Sequence, residues 1–216
     1  MSGLEQHLPA LQVVVPMLVA PLVILLKPRG LAWAACTAGS VLAFAIAIEL
    51  TRMVLASGPI SYAMGSWPAP YGIELRVDTL SALLLLVVTG ASALTLAASR
   101  QSLDASIEAE RQPLFFAAWL LALAGLAGIV VAGDAFNIFV FMEISSLASY
   151  VLIAQLRRIA LTDTELAQAQ AGTIRLKLFK VAARVVISVR RVVLHLCSHY
   201  PYTPLFHRIV AHLVPT

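Results

Sequence analysis

Residues 114–154 read LFFAAWLLALAGLAGIVVAGDAFNIFVFMEISSLASYVLIA. Two apolar runs, Leu114–Ala132 and Ala135–Ala154, are separated only by Gly133-Asp134. About 20 apolar residues in a helix cross the roughly 30 Å hydrocarbon core of a bilayer. Each run therefore predicts a spanning helix, and so short a break folds the two back on each other as an antiparallel hairpin. One ionisable residue, Glu143, stands in the middle of the second run.

Three more runs of this kind lie upstream: Leu8–Leu26, Leu31–Leu55 and Thr79–Ala98. The expected fold is an all-α membrane protein of about five transmembrane helices followed by a basic amphipathic helical tail. Composition points the same way. The 216 residues are 60% hydrophobic and 12% charged, where a soluble domain carries about 25% charged residues. Too little polar surface remains to cover a water-soluble core. Met1–Pro9 contains Glu5 and no Lys or Arg, so it lacks the basic start of a cleavable signal peptide.

Charge divides the chain. Residues 1–156 hold six Lys/Arg and nine Asp/Glu, whereas residues 157–216 hold nine and two. The expected division is therefore a membrane domain over 1–156 and a basic cytoplasmic tail over 157–216. Loops that retain Lys and Arg stay on the cytoplasmic side. Lys27, Arg29, Arg100, Arg111, Arg157 and Arg158 fall on one side of five alternating helices, against Arg52 and Arg76 on the other. That places the N-terminus outside and the C-terminus in the cytoplasm of a bacterial inner membrane. In the outer loop, Trp67 and Tyr71 suit the headgroup zone. Ile73–Val77 alternates as a short strand does, and Asp78 is a helix N-cap.

The tail reads differently. Thr162-Asp163-Thr164-Glu165 has the form of a capping box opening a soluble helix. Over Ile174–Cys197, Lys177, Lys180, Arg184, Arg191 and His195 fall on one helical stripe. A basic amphipathic helix beside a bilayer lies on anionic lipid. The aromatic stacking residues of a single-strand reader are lacking, so nucleic acid is not an expected partner.

Glu143 is the residue that asks for a function. A carboxylate at the centre of a membrane costs several kcal/mol unless it faces protein or water, and such groups mark proton and ion paths. Ser146 and Tyr150, three and seven residues on, share its direction and would line the path. A structural carboxylate bonded to a neighbouring helix is the alternative. Asp134 and Asp78 read as caps, and Glu49, near a helix end, as snorkelling to the interface. Glu108, Glu110 and Arg111 read as a solvated loop. No phosphate-binding loop and no Ser/His/Asp or Cys/His arrangement occurs. His195, His199, His207 and His212 are too loosely spaced for a metal site, and Cys36 and Cys197 form no recognisable pair. Neither catalysis, a metal nor a cofactor is expected.

Two stretches carry a family resemblance. Gly65–Leu83 (GSWPAPYGIELRVDTLSAL) and Gly133–Tyr150 (GDAFNIFVFMEISSLASY) resemble the loop entering helix three and the fifth helix of D-type subunits of multisubunit Na+/H+ antiporters. That family is related to the large proton-pumping subunits of complex I and membrane hydrogenases. The resemblance covers about residues 8–155. It implies that Glu143 belongs to a proton path, that H+ and Na+ or K+ are the ions, and that other antiporter-complex subunits are the partners. It also implies a chain of about fourteen helices and a later Lys to pair with this Glu, neither of which is present here. Further on, Leu166–Val185, Val189-Arg190-Arg191 and Tyr200-Pro201-Tyr202 resemble the C-terminal end of an insertion-sequence DDE transposase, without its catalytic carboxylates. The expectation is an antiporter subunit interrupted by a mobile element and inactive alone. A complex I or hydrogenase membrane subunit, and a non-functional transposon-interrupted relic or basic-tail nucleic-acid binder, are the competing expectations.

Overall fold

The computed structural model describes residue 3 and residues 5–26, 29–67, 71–179, 183–188, 191–196 and 201–213. Lys27-Pro28, Pro68–Pro70, Lys180, Val189-Arg190 and Cys197–Tyr200 lie outside the described residues. The chain forms two compact units, Met1–Leu152 and Ile153–Thr216.

Five helices of the described residues are long and apolar enough to cross a membrane. They are α1 (Leu8–Leu25), α2 (Arg29–Ser57), α3 (Thr79–Ala98), α5 (Gln112–Val131) and α6 (Ala135–Ala160). Pro9 and Pro113 sit in first turns, where the missing N–H has no intrahelical partner to lose. Pro16 and Pro21 lie inside α1, which a packed membrane helix tolerates. α2 ends at Gly58, whose positive φ of 84° and N–H bond to the Val54 carbonyl close the last turn. α6 continues past Ala154 to Ala160. Arg157 and Arg158 in its last turn favour the negative end of the helix dipole.

In the first unit α1 packs on α5 and α2, and α2 packs on α3. One core layer gathers Leu50, Leu85, Val77 and Val131. A second gathers Val23, Cys36, Leu96, Phe116 and Leu120. The loop between α2 and α3 forms a hairpin, β1 (Ile60–Ala63) antiparallel to β2 (Glu74–Val77), with Ile60 opposite Val77. The strand expected at Ile73–Val77 is thus present, one residue shorter. A short helix α4 (Arg100–Ser106) lies between α3 and α5. It is tied to α5 through Gln112, which donates to Asp104 at 3.3 Å and to the Ile107 carbonyl at 3.2 Å.

The second unit departs from the helical tail that charge spacing suggests. Its core is Ile153, Leu161, Leu166, Ile174, Leu178 and Ile209. After a four-residue helix α7 (Ala171–Ile174) and one wide turn (Arg175–Phe179), the chain forms an antiparallel hairpin, β3 (Ala183–Ser188) with β4 (Arg191–Leu196). The expected helix over Ile174–Cys197 is therefore incorrect. Val185-Val186-Ile187 lies in register with Val192-Val193-Leu194, and β-branched runs prefer the pleated conformation to a crowded helical one. The expected capping box is also absent: residues 161–170 form turns. The Thr164 hydroxyl donates to the Leu161 carbonyl and accepts from the Leu166 N–H, a local alternative to helix initiation. α8 (Thr203–Leu213) closes the described chain.

Candidate proton site on the fifth spanning helix

α6 is started by Asp134 and seated by two glycines. The Asp134 carboxylate accepts from the Asn137 N–H at 2.8 Å and from the Asn137 side-chain amide. These bonds, first the backbone one and then the side-chain one, hold its carboxyl below the ordinary value. Asp134 is therefore a cap, as its position suggests, and the Asp78 carboxylate caps α3 likewise through the Ser81 N–H at 2.8 Å. The turn before α6 is locked to the β1–β2 hairpin, because the Gly133 N–H donates to the Glu74 carbonyl at 2.9 Å.

The rotational setting of α6 follows from its contact with α5. A Cβ placed on Gly125 would stand 2.7 Å from the Ser145 backbone nitrogen and 2.9 Å from the Phe141 carbonyl oxygen; one on Gly128 would strike the Phe141 ring. Only bare glycine allows this approach, a recurring device in membrane helices. Phe141, Ser145 and Ala148 accordingly face α5, and Ala148 is buried.

The opposite face carries Glu143. It is exposed in this chain, together with Phe136, Phe139, Met142, Leu147 and Tyr150. At about 100° per residue, Ser146 and Tyr150 lie about 60° and about 20° from the direction of Glu143. Ser146 is half-buried and Tyr150 exposed. The three share one side of α6. Glu143 stands eight residues inside the helix, roughly 12 Å along its axis. Among the described residues no ion pair reaches it; the two ion pairs are Arg52–Glu49 at 2.9 Å and Arg111–Glu108 at 2.7 Å. Both are surface pairs of the kind that contributes little. Among the described residues no group of three or more His, Cys, Asp or Glu comes together.

A second polar feature was not read from the sequence. Trp119 Nε1 donates to Ser92 Oγ at 2.8 Å, and Ser92 Oγ donates to Ser40 Oγ at 3.2 Å. This run of hydrogen bonds links α5, α3 and α2. It borders a cavity of about 460 Å³ lined by Ser92, Thr95, Trp119, Leu126 and Ser149. Ser and Trp inside apolar runs were the available signal, but which of them meet depends on helix packing.

Several known proteins are similar to part of this chain. The N-type subunit of the NADH-quinone oxidoreductase of Desulforudis audaxviator is 39% identical over 68% of this chain and 30% of its own length. The D-type subunit of a probable K(+)/H(+) antiporter of Rhizobium meliloti is 36% identical over 71% of this chain and 29% of its own length. The D-type subunit of the Na(+)/H(+) antiporter of Bacillus subtilis is 33% identical over 66% and 29%. The chain therefore has relatives in both groups. The chain is a partial-length homologue of antiporter-type membrane subunits. It spans about 30% of the length of these curated relatives. Two solved structures agree: the Mrp complex from Dietzia sp. (TM-score 0.66, 25% identity, 83% of this chain and 32% of that chain) and an archaeal membrane-bound sulfane sulfur reductase (TM-score 0.67, 28% identity, 79% and 34%). The family profile described as Transposase DDE domain group 1 matches residues 139–216. That match covers the whole second unit and overlaps α6 from Phe139 onward, including Glu143.

Proposed function

We propose that about residues 8–155 are the N-terminal fragment of a proton-conducting membrane subunit of a monovalent cation/proton antiporter complex. Glu143 is its proton-path carboxylate, with Ser146 and Tyr150 lining the path. The observation that carries this reading is a lone carboxylate in a membrane-spanning helix of a chain similar to antiporter subunits. Charge at that depth is retained where it does work. The resemblance of Gly133–Tyr150 to antiporter subunits supports placing Glu143 in the membrane subunit and the junction after it, while the transposase family match begins at residue 139. Other subunits of the complex are the partners, and Na+ or K+ the exchanged ion. The chain lies in the bacterial inner membrane, N-terminus outside and C-terminus in the cytoplasm, with its basic tail on anionic lipid.

Alone, this chain conducts no exchange and is not an enzyme. A proton path needs titratable groups or water across the full membrane thickness. Asp78 and Asp134 cap helix starts, Glu49 is paired with Arg52 at 2.9 Å, and the uncovered face of Glu143 meets no Lys or His of the described residues. A second reading, a complex I or hydrogenase membrane subunit, is favoured by the similarity to the Desulforudis oxidoreductase subunit. A third, a transposon-interrupted relic, is favoured by the family match over 139–216. The test of the Glu143 assignment uses a full-length relative. Changing its matching Glu to Gln abolishes proton-coupled transport and leaves the complex assembled. Normal transport by an assembled variant leaves Glu143 only a structural role.

A further inference from the structure

We propose that Arg100 and Trp33 form a binding site for the phosphate headgroup of an anionic phospholipid at the membrane surface where α2 begins and α3 ends. The Arg100 guanidinium carbon lies 4.6 Å from the centre of the Trp33 ring. The ring is itself fixed, since Trp33 Nε1 donates to the Leu96 carbonyl at 3.1 Å. Arg100 Nη2 lies beside the first turn of α2, where a Cβ on Gly30 would be in ordinary contact at 3.9 Å. Stacking fixes the guanidinium plane at little cost in side-chain freedom and leaves its edge N–H groups available, the geometry that binds phosphate in a forked fashion.

Two of the acids at this end, Glu108 and Asp104, are engaged elsewhere. Glu108 pairs with Arg111 at 2.7 Å, and Asp104 accepts from Gln112 at 3.3 Å. Arg100 forms neither of the ion pairs found among the described residues and is exposed. Its position decides the occupant. It stands two residues beyond Ala98, the last residue of a candidate span, and Trp33 stands in the first turns of another. That is headgroup depth, where Trp and Arg anchor a chain and lipid phosphate is the abundant anion. This site is separate from the basic tail and does not depend on the Glu143 reading.

The test is native mass spectrometry of the full chain released from nanodiscs containing equal phosphatidylglycerol and phosphatidylcholine. Wild type retains phosphatidylglycerol over phosphatidylcholine by about fivefold more than Arg100→Gln does, the factor that about 1 kcal/mol per cation near an anionic surface implies. Arg111→Gln, which removes a cation already paired with Glu108, keeps the wild-type preference. Equal retention by wild type and Arg100→Gln overturns the proposal. So does a loss in Arg111→Gln as large as that in Arg100→Gln, which would reflect general surface charge.

Discussion

Replacing Gly125 by Ala should separate α5 from α6. The new methyl would lie 2.7 Å from the Ser145 backbone nitrogen, 2.8 Å from its Cβ and 2.9 Å from the Phe141 carbonyl oxygen. All three atoms belong to or sit on the backbone of α6, so no flexible side-chain end can swing aside. The helices must move apart, and overpacking of this kind costs about 1–3 kcal/mol. For a chain of this size each kcal/mol lowers the unfolding midpoint by about 2–4 °C. The expected loss is about 2–12 °C in thermal unfolding of the purified chain, followed by near-ultraviolet circular dichroism in detergent. Gly172→Ala is the control, because a Cβ there meets nothing within 4 Å. A Gly125→Ala midpoint within about 1 °C of wild type, on the same scale, would refute the claim that glycine contact sets the rotation of α6 and hence the direction of Glu143.

Two further outcomes are expected. Reporter fusions at Ser66 should read periplasmic and at Ser106 cytoplasmic, from the Lys/Arg asymmetry; the reverse at both sites would overturn the orientation. The capping carboxylates Asp78 and Asp134 have folded values below the ordinary 3.8. Their stabilisation is therefore complete above that value and is lost as pH falls below it, so acid unfolding of Asp134→Asn should be shallower than that of wild type, and an identical acid profile would deny the cap its electrostatic part.

The membrane half was legible because lipid imposes one rule. A long apolar run must satisfy its own backbone, and only a helix does so. The same logic made Asp78 and Asp134 readable as caps, since an acid directly before an apolar run has one use there. Helix ends were read less well: α6 extends to Ala160 because a helix need not stop where the bilayer does. The tail misled because its cations recur at helical spacing, while the decisive signal was the paired, mostly β-branched runs Val185–Ile187 and Val192–Leu194. At the candidate site, the depth and polarity of Glu143 were visible in the sequence. Its placement on the uncovered face was not, because that depends on Gly125 and Gly128 meeting Ser145 and Phe141, a contact between helices that spacing within one helix does not reveal. The hydrogen bonds joining Ser40, Ser92 and Trp119 were hidden for the same reason.

The most direct test of the central claim is proton movement in everted membrane vesicles containing this chain and no other antiporter subunit, followed by a pH-sensitive dye on addition of Na+ or K+. The account predicts a response equal to that of empty vesicles. A reproducible cation-dependent signal that disappears in Glu143→Gln would contradict it, and would mean that these five helices by themselves complete the path.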